Sequence, residues 1–174
     1  MRRLALLVGI LGLTAVMPAL LAQPDHSEFT RTRFDVIVPL LRQQRLAEAE
    51  QLTRDLLRRA EAQLPPASLE IGRILTLLGD IALRRGNGGL PEIVMALDRA
   101  HRVKIATRGE FDDETQSTGL MYAEALTHAG RFDEATAVTD RMAAGLSDPS
   151  RPPSEVLARN LGDLAGRLYA FGRP

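Results

Sequence analysis

The chain has 174 residues, enough for one domain with a sizeable core. Twenty-two basic and twenty-two acidic residues cancel, which argues against a charge-driven nucleic-acid partner. Cysteine is absent, and this excludes a disulfide framework, a thiol nucleophile, a cysteine-type zinc site and a lipidated N-terminal cysteine.

Residues 1–22 read as a secretory signal. Arg2 and Arg3 make the positive start, and the apolar run Leu4–Val16 is broken only by Gly9, Gly12 and Thr14. Pro18 precedes the small residues Ala19 and Ala22, and cleavage is expected after Ala22. The alternative is an uncleaved membrane anchor, since Leu4–Ala22 approaches the ~20 apolar residues that a spanning helix needs. The localisation expected is therefore periplasmic or secreted, with N-terminal anchoring as the other reading. Gln23–Glu28 is polar and contains Pro24, the pattern of a short disordered lead-in.

Helical patterning begins near Phe29 and continues through Phe34, Ile37, Val38, Leu40 and Leu41. Pro39 lies inside it and should kink or shorten the helix. After a turn at Gln43-Gln44-Arg45, a second helix is expected over Leu46–Ala62, with Leu46, Ala49, Leu52, Leu56 and Leu57 on one stripe. Leu64-Pro65-Pro66-Ala67-Ser68 breaks the chain, and Ser68 caps a helix over Leu69–Arg85. Gly86-Asn87-Gly88-Gly89 is a loop of residues that tolerate positive φ. Pro91 then opens a helix running to Thr107. Gly109–Asp113 leads into Glu114–Ala129, whose apolar stripe includes Leu120, Ala123, Ala125 and Leu126. His128-Ala129-Gly130 ends that helix, and Phe132-Asp133-Glu134-Ala135 starts the next with carboxylates in its first turn. Beyond the polar, proline-rich stretch Asp148–Pro153, a last helix is expected over Ser154–Phe171.

The turns share one register. Gln44, Gly86, Gly130 and Gly172 are separated by 42, 44 and 42 residues. Seven positions before three of them stand the small residues Gly79, Ala123 and Ala165, with Ile37 in the first unit. Early in each second helix stand Ala49, Ile93 and Ala135. Small residues at a helix crossing let two antiparallel helices approach closely, and a lone hairpin cannot bury its stripe, so neighbours must stack.

Gly79 with Gly86, Ala123 with Gly130-Arg131-Phe132-Asp133-Glu134-Ala135, and Ala165 with Gly172 resemble the tetratricopeptide repeat signature. The spacing of about 42 residues, with the loop Gly109-Glu110-Phe111-Asp112-Asp113-Glu114-Thr115, is similar to the longer variant of kinesin light chains. The resemblance covers residues 28–172 and implies an all-α solenoid of about three and a half helix hairpins. Pro39 and Ile37 depart from the pattern in the first unit, and the last unit lacks its second helix.

No phosphate loop, nucleophile elbow, metalloprotease helix or calcium loop is present. His26, His101 and His128 have no metal-ligand spacing. A catalytic role, a cofactor and a metal are therefore not expected. The resemblance implies a non-catalytic scaffold whose first helices line a concave groove for a peptide or partner helix. Its groove positions would be Arg31, Phe34, Val38 and Arg42, then Arg73, Thr76, Asp80, Leu83 and Arg84. Ser117, Leu120, Glu124, Thr127 and His128 follow, then Arg159 and Tyr169. Partner contact is assigned chiefly to Arg42, Arg73, Thr76, Asp80, Arg84, Leu120, Glu124, Thr127 and His128. Many family members place a ligand-binding asparagine where this chain has Val38, Asp80, Glu124 and Gly166, which speaks against the clamp of chaperone adaptors. Asp98, Arg99, Arg102 and Lys104 read as a solvated convex face. The alternative function is an assembly component that self-associates through Val156, Leu161, Leu164 and Leu168 of the last helix.

Overall fold

The structure is a computed structural model and describes residues 26–146 and 155–170. Among the described residues it is all-helical, without strands. The expected signal and the first half of the lead-in, like the turn at Gly172, lie outside them. No described helix is long and apolar enough to cross a membrane.

The first helical rod is continuous from α1 (His26–Arg31) through a π-helical segment (Thr32–Ile37) into α2 (Val38–Arg42). Thus His26–Glu28 are already helical. Pro39 neither breaks nor shortens the rod. Proline has no N–H to donate to the preceding turn, and just before it the ladder widens so that the Val38 N–H donates to the Arg33 carbonyl. The remaining helices are α3 (Leu46–Gln63), α4 (Leu69–Arg84), α5 (Pro91–Arg108), α6 (Asp113–His128), α7 (Phe132–Leu146) and α8 (Glu155–Ala170). Their ends follow from caps. Ser68 Oγ accepts from the Glu70 N–H at 3.3 Å, Asp112 Oδ1 accepts from the Glu114 N–H at 3.0 Å, and Pro91 is the first residue of α5.

The hairpin turns repeat in atomic detail. Gln44, Gly86 and Gly130 have φ of 60°, 75° and 72°. After each, the next N–H reaches back five residues: Arg45 to Leu40 at 2.9 Å, Asn87 to Ala82 at 2.8 Å and Arg131 to Leu126 at 2.9 Å. The turn residues themselves bond Leu41, Leu83 and Thr127 at 3.1, 3.0 and 3.1 Å. Each pair of bonds satisfies carbonyls that a helix end would otherwise leave bare, which is the Schellman arrangement.

Each helix packs on the next in sequence, and α1 with α4, α4 with α6 and α6 with α8 also touch. Buried residues form two groups that meet at α4. Leu75 and Ile81 of α4 join Phe29, Ile37, Ala49 and Leu56, whereas Leu78 and Ala82 join Ile93, Leu97, Ala123, Leu126 and Leu164. At Gly79 α4 packs on α5 with no space for a side chain: a Cβ there would stand 2.4 Å from the buried Leu97 side chain. Ala123, one unit later, is fully buried, while Ala165 is exposed.

Three expectations are corrected. Leu52 is exposed, and its neighbour Thr53 sits in the core, its hydroxyl donating to the Ala49 carbonyl at 2.7 Å. A helix whose buried face is set by two neighbours covers Thr53 more fully than Leu52, and the local bond satisfies the hydroxyl. Lys104 is not on a solvated face but only 4% exposed. Leu161 and Leu164 are buried rather than open to a partner. The side chains of Val156 and Leu168 lie outside the described residues.

Candidate binding groove

An open groove of about 470 Å³ runs across the first rod, α4 and α6. Phe34 and Val38 line it from the first rod, Leu77 from α4 and Met121 from α6. Phe34 is 57% exposed, with the Arg33 guanidinium 4.9 Å from its ring centre. The π-helical segment supplies Arg33 and Phe34, so the adjustment that accommodates Pro39 also shapes this wall.

A charged network closes one end. Arg33 Nε donates to Glu70 Oε1 at 3.0 Å, with both side chains largely covered. Arg73 donates to both oxygens of Glu114, at 2.9 and 2.6 Å, and lies 3.6 Å from Glu70. The Arg73–Glu114 fork ties α4 to α6. It holds the Glu114 carboxyl below its ordinary pKa and raises that of Arg73. Burial pushes Arg33 the other way. Lys104 enters from α5 and donates to Thr118 Oγ1 at 2.8 Å, with Glu114 Oε2 at 3.8 Å. Burial, opposed by the Glu114 charge, lowers its pKa to about 8. Thr76 and Thr118 hydroxyls stand 3.2 Å apart across the α4–α6 contact. Asp80, further along, accepts from Arg84 Nε at 2.9 Å, and this bond raises the Arg84 pKa.

Of the positions assigned to a groove, Phe34, Val38, Arg73, Thr76 and Asp80 line this one. Arg84 joins only through Asp80. Arg42 is exposed at the end of α2, and Arg31, Ser117 and Arg159 are also exposed. On α6 the lining residues are Glu114 and Met121, with Thr118 beside them, and Leu120 and Glu124 are partly buried outside the lining. A step of one residue turns a helix by about 100°, so Ser117 and Leu120 belong to a different strip from Thr118 and Met121. Thr127 is buried with its hydroxyl on the Ala123 carbonyl at 2.8 Å. His128 is exposed at the end of α6, where its backbone meets the loop at Gly89. The Tyr169 side chain lies outside the described residues. Sequence reasoning missed Arg33, Glu70, Lys104 and Glu114; the acidic residue opening α4 and α6 next to the caps was the available signal for two of them.

The arrangement offers apolar contact area and paired charges. Among the described residues no three His, Asp or Glu side chains converge as metal ligands. No protein-family model matches the chain, and no curated protein is significantly similar to it.

Proposed function

We propose that this chain is an exported scaffold of the tetratricopeptide type, a solenoid of helix hairpins that takes a peptide or a partner helix along its groove. The observation that carries this reading is that one groove is lined mainly from the first rod, α4 and α6, with Lys104 alone reaching in from α5. These are the alternate helices that repeat stacking would bring to one face. The three matching turns at Gln44, Gly86 and Gly130, and the close crossing at Gly79, support the repeat. Binding is tested by pull-down from envelope extracts with wild type, Phe34→Asp and Arg73→Glu/Arg84→Glu. Phe34 is exposed, so its replacement leaves the core intact, and circular dichroism checks the charge-reversal variant for folding. Loss of the same partners from both variants is expected. Identical partner sets in all three proteins remove the groove.

A second reading, self-association through α8, is favoured by one observation. Ala165 shares the register of Gly79 and Ala123 yet is exposed, and among the described residues nothing lies against a Cβ placed at Gly162 or Gly166. Light scattering decides: a monomer at micromolar concentration ends this version, and a dimer abolished by Ala165→Glu sustains it.

A further inference from the structure

The loop from α4 to α5 places an asparagine directly before a glycine, Asn87-Gly88. The Asn87 backbone is fixed: its N–H donates to the Ala82 carbonyl at 2.8 Å, and its carbonyl accepts from the Leu90 N–H at 3.2 Å. An asparagine that opens a turn commonly bonds the backbone two residues on. Asn87 does not, and its side chain is exposed. Among the described residues neither its carboxamide nor the Gly88 N–H has a hydrogen-bond partner.

Gly88 is a glycine for want of space rather than for its φ, since positive φ in this loop belongs to Gly86. Gly88 is buried, and a Cβ there would stand 2.4 Å from Leu83 Cδ2 and 3.3 Å from His128 Nδ1. Gly89 presses on the end of α6, where a Cβ would stand 2.6 Å from the His128 carbonyl oxygen. The contact that clips this loop to α6 therefore leaves position 88 without a side chain to shield its nitrogen. An exposed, unheld carboxamide thus stands one bond away from an unshielded backbone nitrogen, and asparagine is among the thermolabile side chains.

We propose that Asn87 is a site of spontaneous deamidation in the folded protein. The Gly88 nitrogen gives up its proton to solvent and bonds to Asn87 Cγ, and the carboxamide nitrogen leaves as ammonia. Water then opens the five-membered imide at either carbonyl, giving aspartate or isoaspartate, and no other reactant is consumed. In the isoaspartate the main chain runs through the former side chain and is one carbon longer. A free carboxylate then replaces the carbonyl that accepts from Leu90, the N-cap of α5. The start of α5 and the contact of Gly89 with α6 are loosened together. Either product also puts a negative charge beyond the C-terminal end of α4, where the helix dipole disfavours it.

The test is incubation of the full-length protein at neutral pH and physiological temperature, folded and in urea, followed by peptide mass mapping. The chain has one other asparagine, Asn160 before Leu161 in α8, which is the internal standard. Folded wild type is expected to exchange NH for O at Asn87 within about tenfold of the rate in urea. Asn160 should be retained. Asn87→Gln, whose longer side chain would have to close a six-membered ring, should stay intact at position 87. Hydrogen exchange at the Leu90 amide should be faster in aged wild type than in aged Asn87→Gln, with Asn87→Asp in between. The proposal is overturned if the folded chain keeps Asn87 while the chain in urea loses it, because the turn then holds the carboxamide away from the nitrogen. Loss at Asn160 as fast as at Asn87, or retention of Asn87 under both conditions, overturns it as well.

Discussion

Lys104 makes the buried end of the groove sensitive to alkaline pH. Its side chain is 4% exposed, and its ammonium has one short hydrogen bond, to Thr118, with Glu114 Oε2 at 3.8 Å. Burial lowers its pKa from 10.5 to about 8. Below pH 8 the folded and unfolded chains both carry the proton, and the cost of burying the charge is fully present. Between pH 8 and 10.5 the folded chain releases the proton first, so the unfolded state binds more protons and stability rises with pH. At 1.36 kcal/mol per pH unit, the interval sets an upper limit of about 3 kcal/mol. Lys104→Met retains most of the buried stem and removes the titration. Urea denaturation of both proteins at intervals from pH 7 to 10.5 isolates the effect, because tyrosines and other titrating groups are common to both. Stability of wild type relative to Lys104→Met should climb by about 1–3 kcal/mol over that range. The variant should be at least as stable at pH 7, since a buried, imperfectly paired charge rarely stabilises. Parallel stability curves would refute the reasoning.

The turn residues give a matched pair. Gly130→Ala meets no side chain and should cost about 1 kcal/mol through positive φ alone, whereas Gln44→Gly should relieve strain and stabilise by up to about 1 kcal/mol, both read by urea denaturation. Changes of the same sign would show that φ does not control these turns. Gly79→Ala should destabilise by about 1–3 kcal/mol despite alanine's better helix propensity, because the new methyl collides with Leu97. Adding Leu97→Val should recover part of that loss, and no recovery would place the cost elsewhere.

The helix positions were legible because punctuation marks them. Ser68, Pro91, Gly86 and Gly130 act through backbone chemistry that is local in sequence, and the structure puts helix ends beside each. The buried polar residues were not legible, for a physical reason. A single apolar stripe is what a helix shows when one face is covered, but α5 is packed between α4 and α6. Leu97, Ala100, His101 and Lys104 recur at helical spacing on one buried strip of α5, and the polar pair is accommodated by the side chains that α6 brings, Tyr122 beside His101 and Thr118 on Lys104. Charge pattern alone places Lys104 with Arg102 in solvent; only the threonine and glutamate that α6 brings to it reverse that. The same limit governs the groove. The repeat register equates positions 44 residues apart, whereas the α4 and α6 hydroxyls that meet are Thr76 and Thr118, 42 apart. Equivalent residues occupy the same place in each unit, but facing residues are set by how one unit leans on the next.

That distinction changes which side chains a partner can read. Arg33 is engaged by Glu70, Arg73 by Glu114, Lys104 by Thr118 and Asp80 by Arg84. A charged ligand would have to displace one of these pairs and leave a covered charge without its counterpart, which is costly where Glu70 and Lys104 are almost fully buried. An apolar side chain laid on Phe34, Val38, Leu77 and Met121 displaces only water, and each covered Å² contributes on the order of 25 cal/mol. The paired charges then frame the contact between α4 and α6, and under the proposed function a partner would be read by the apolar floor. A partner helix with large apolar residues three or four positions apart fits such a floor. Replacing Phe34 should therefore weaken binding without loss of stability, whereas replacing Arg73 should lower both together, because its fork to Glu114 is part of the fold.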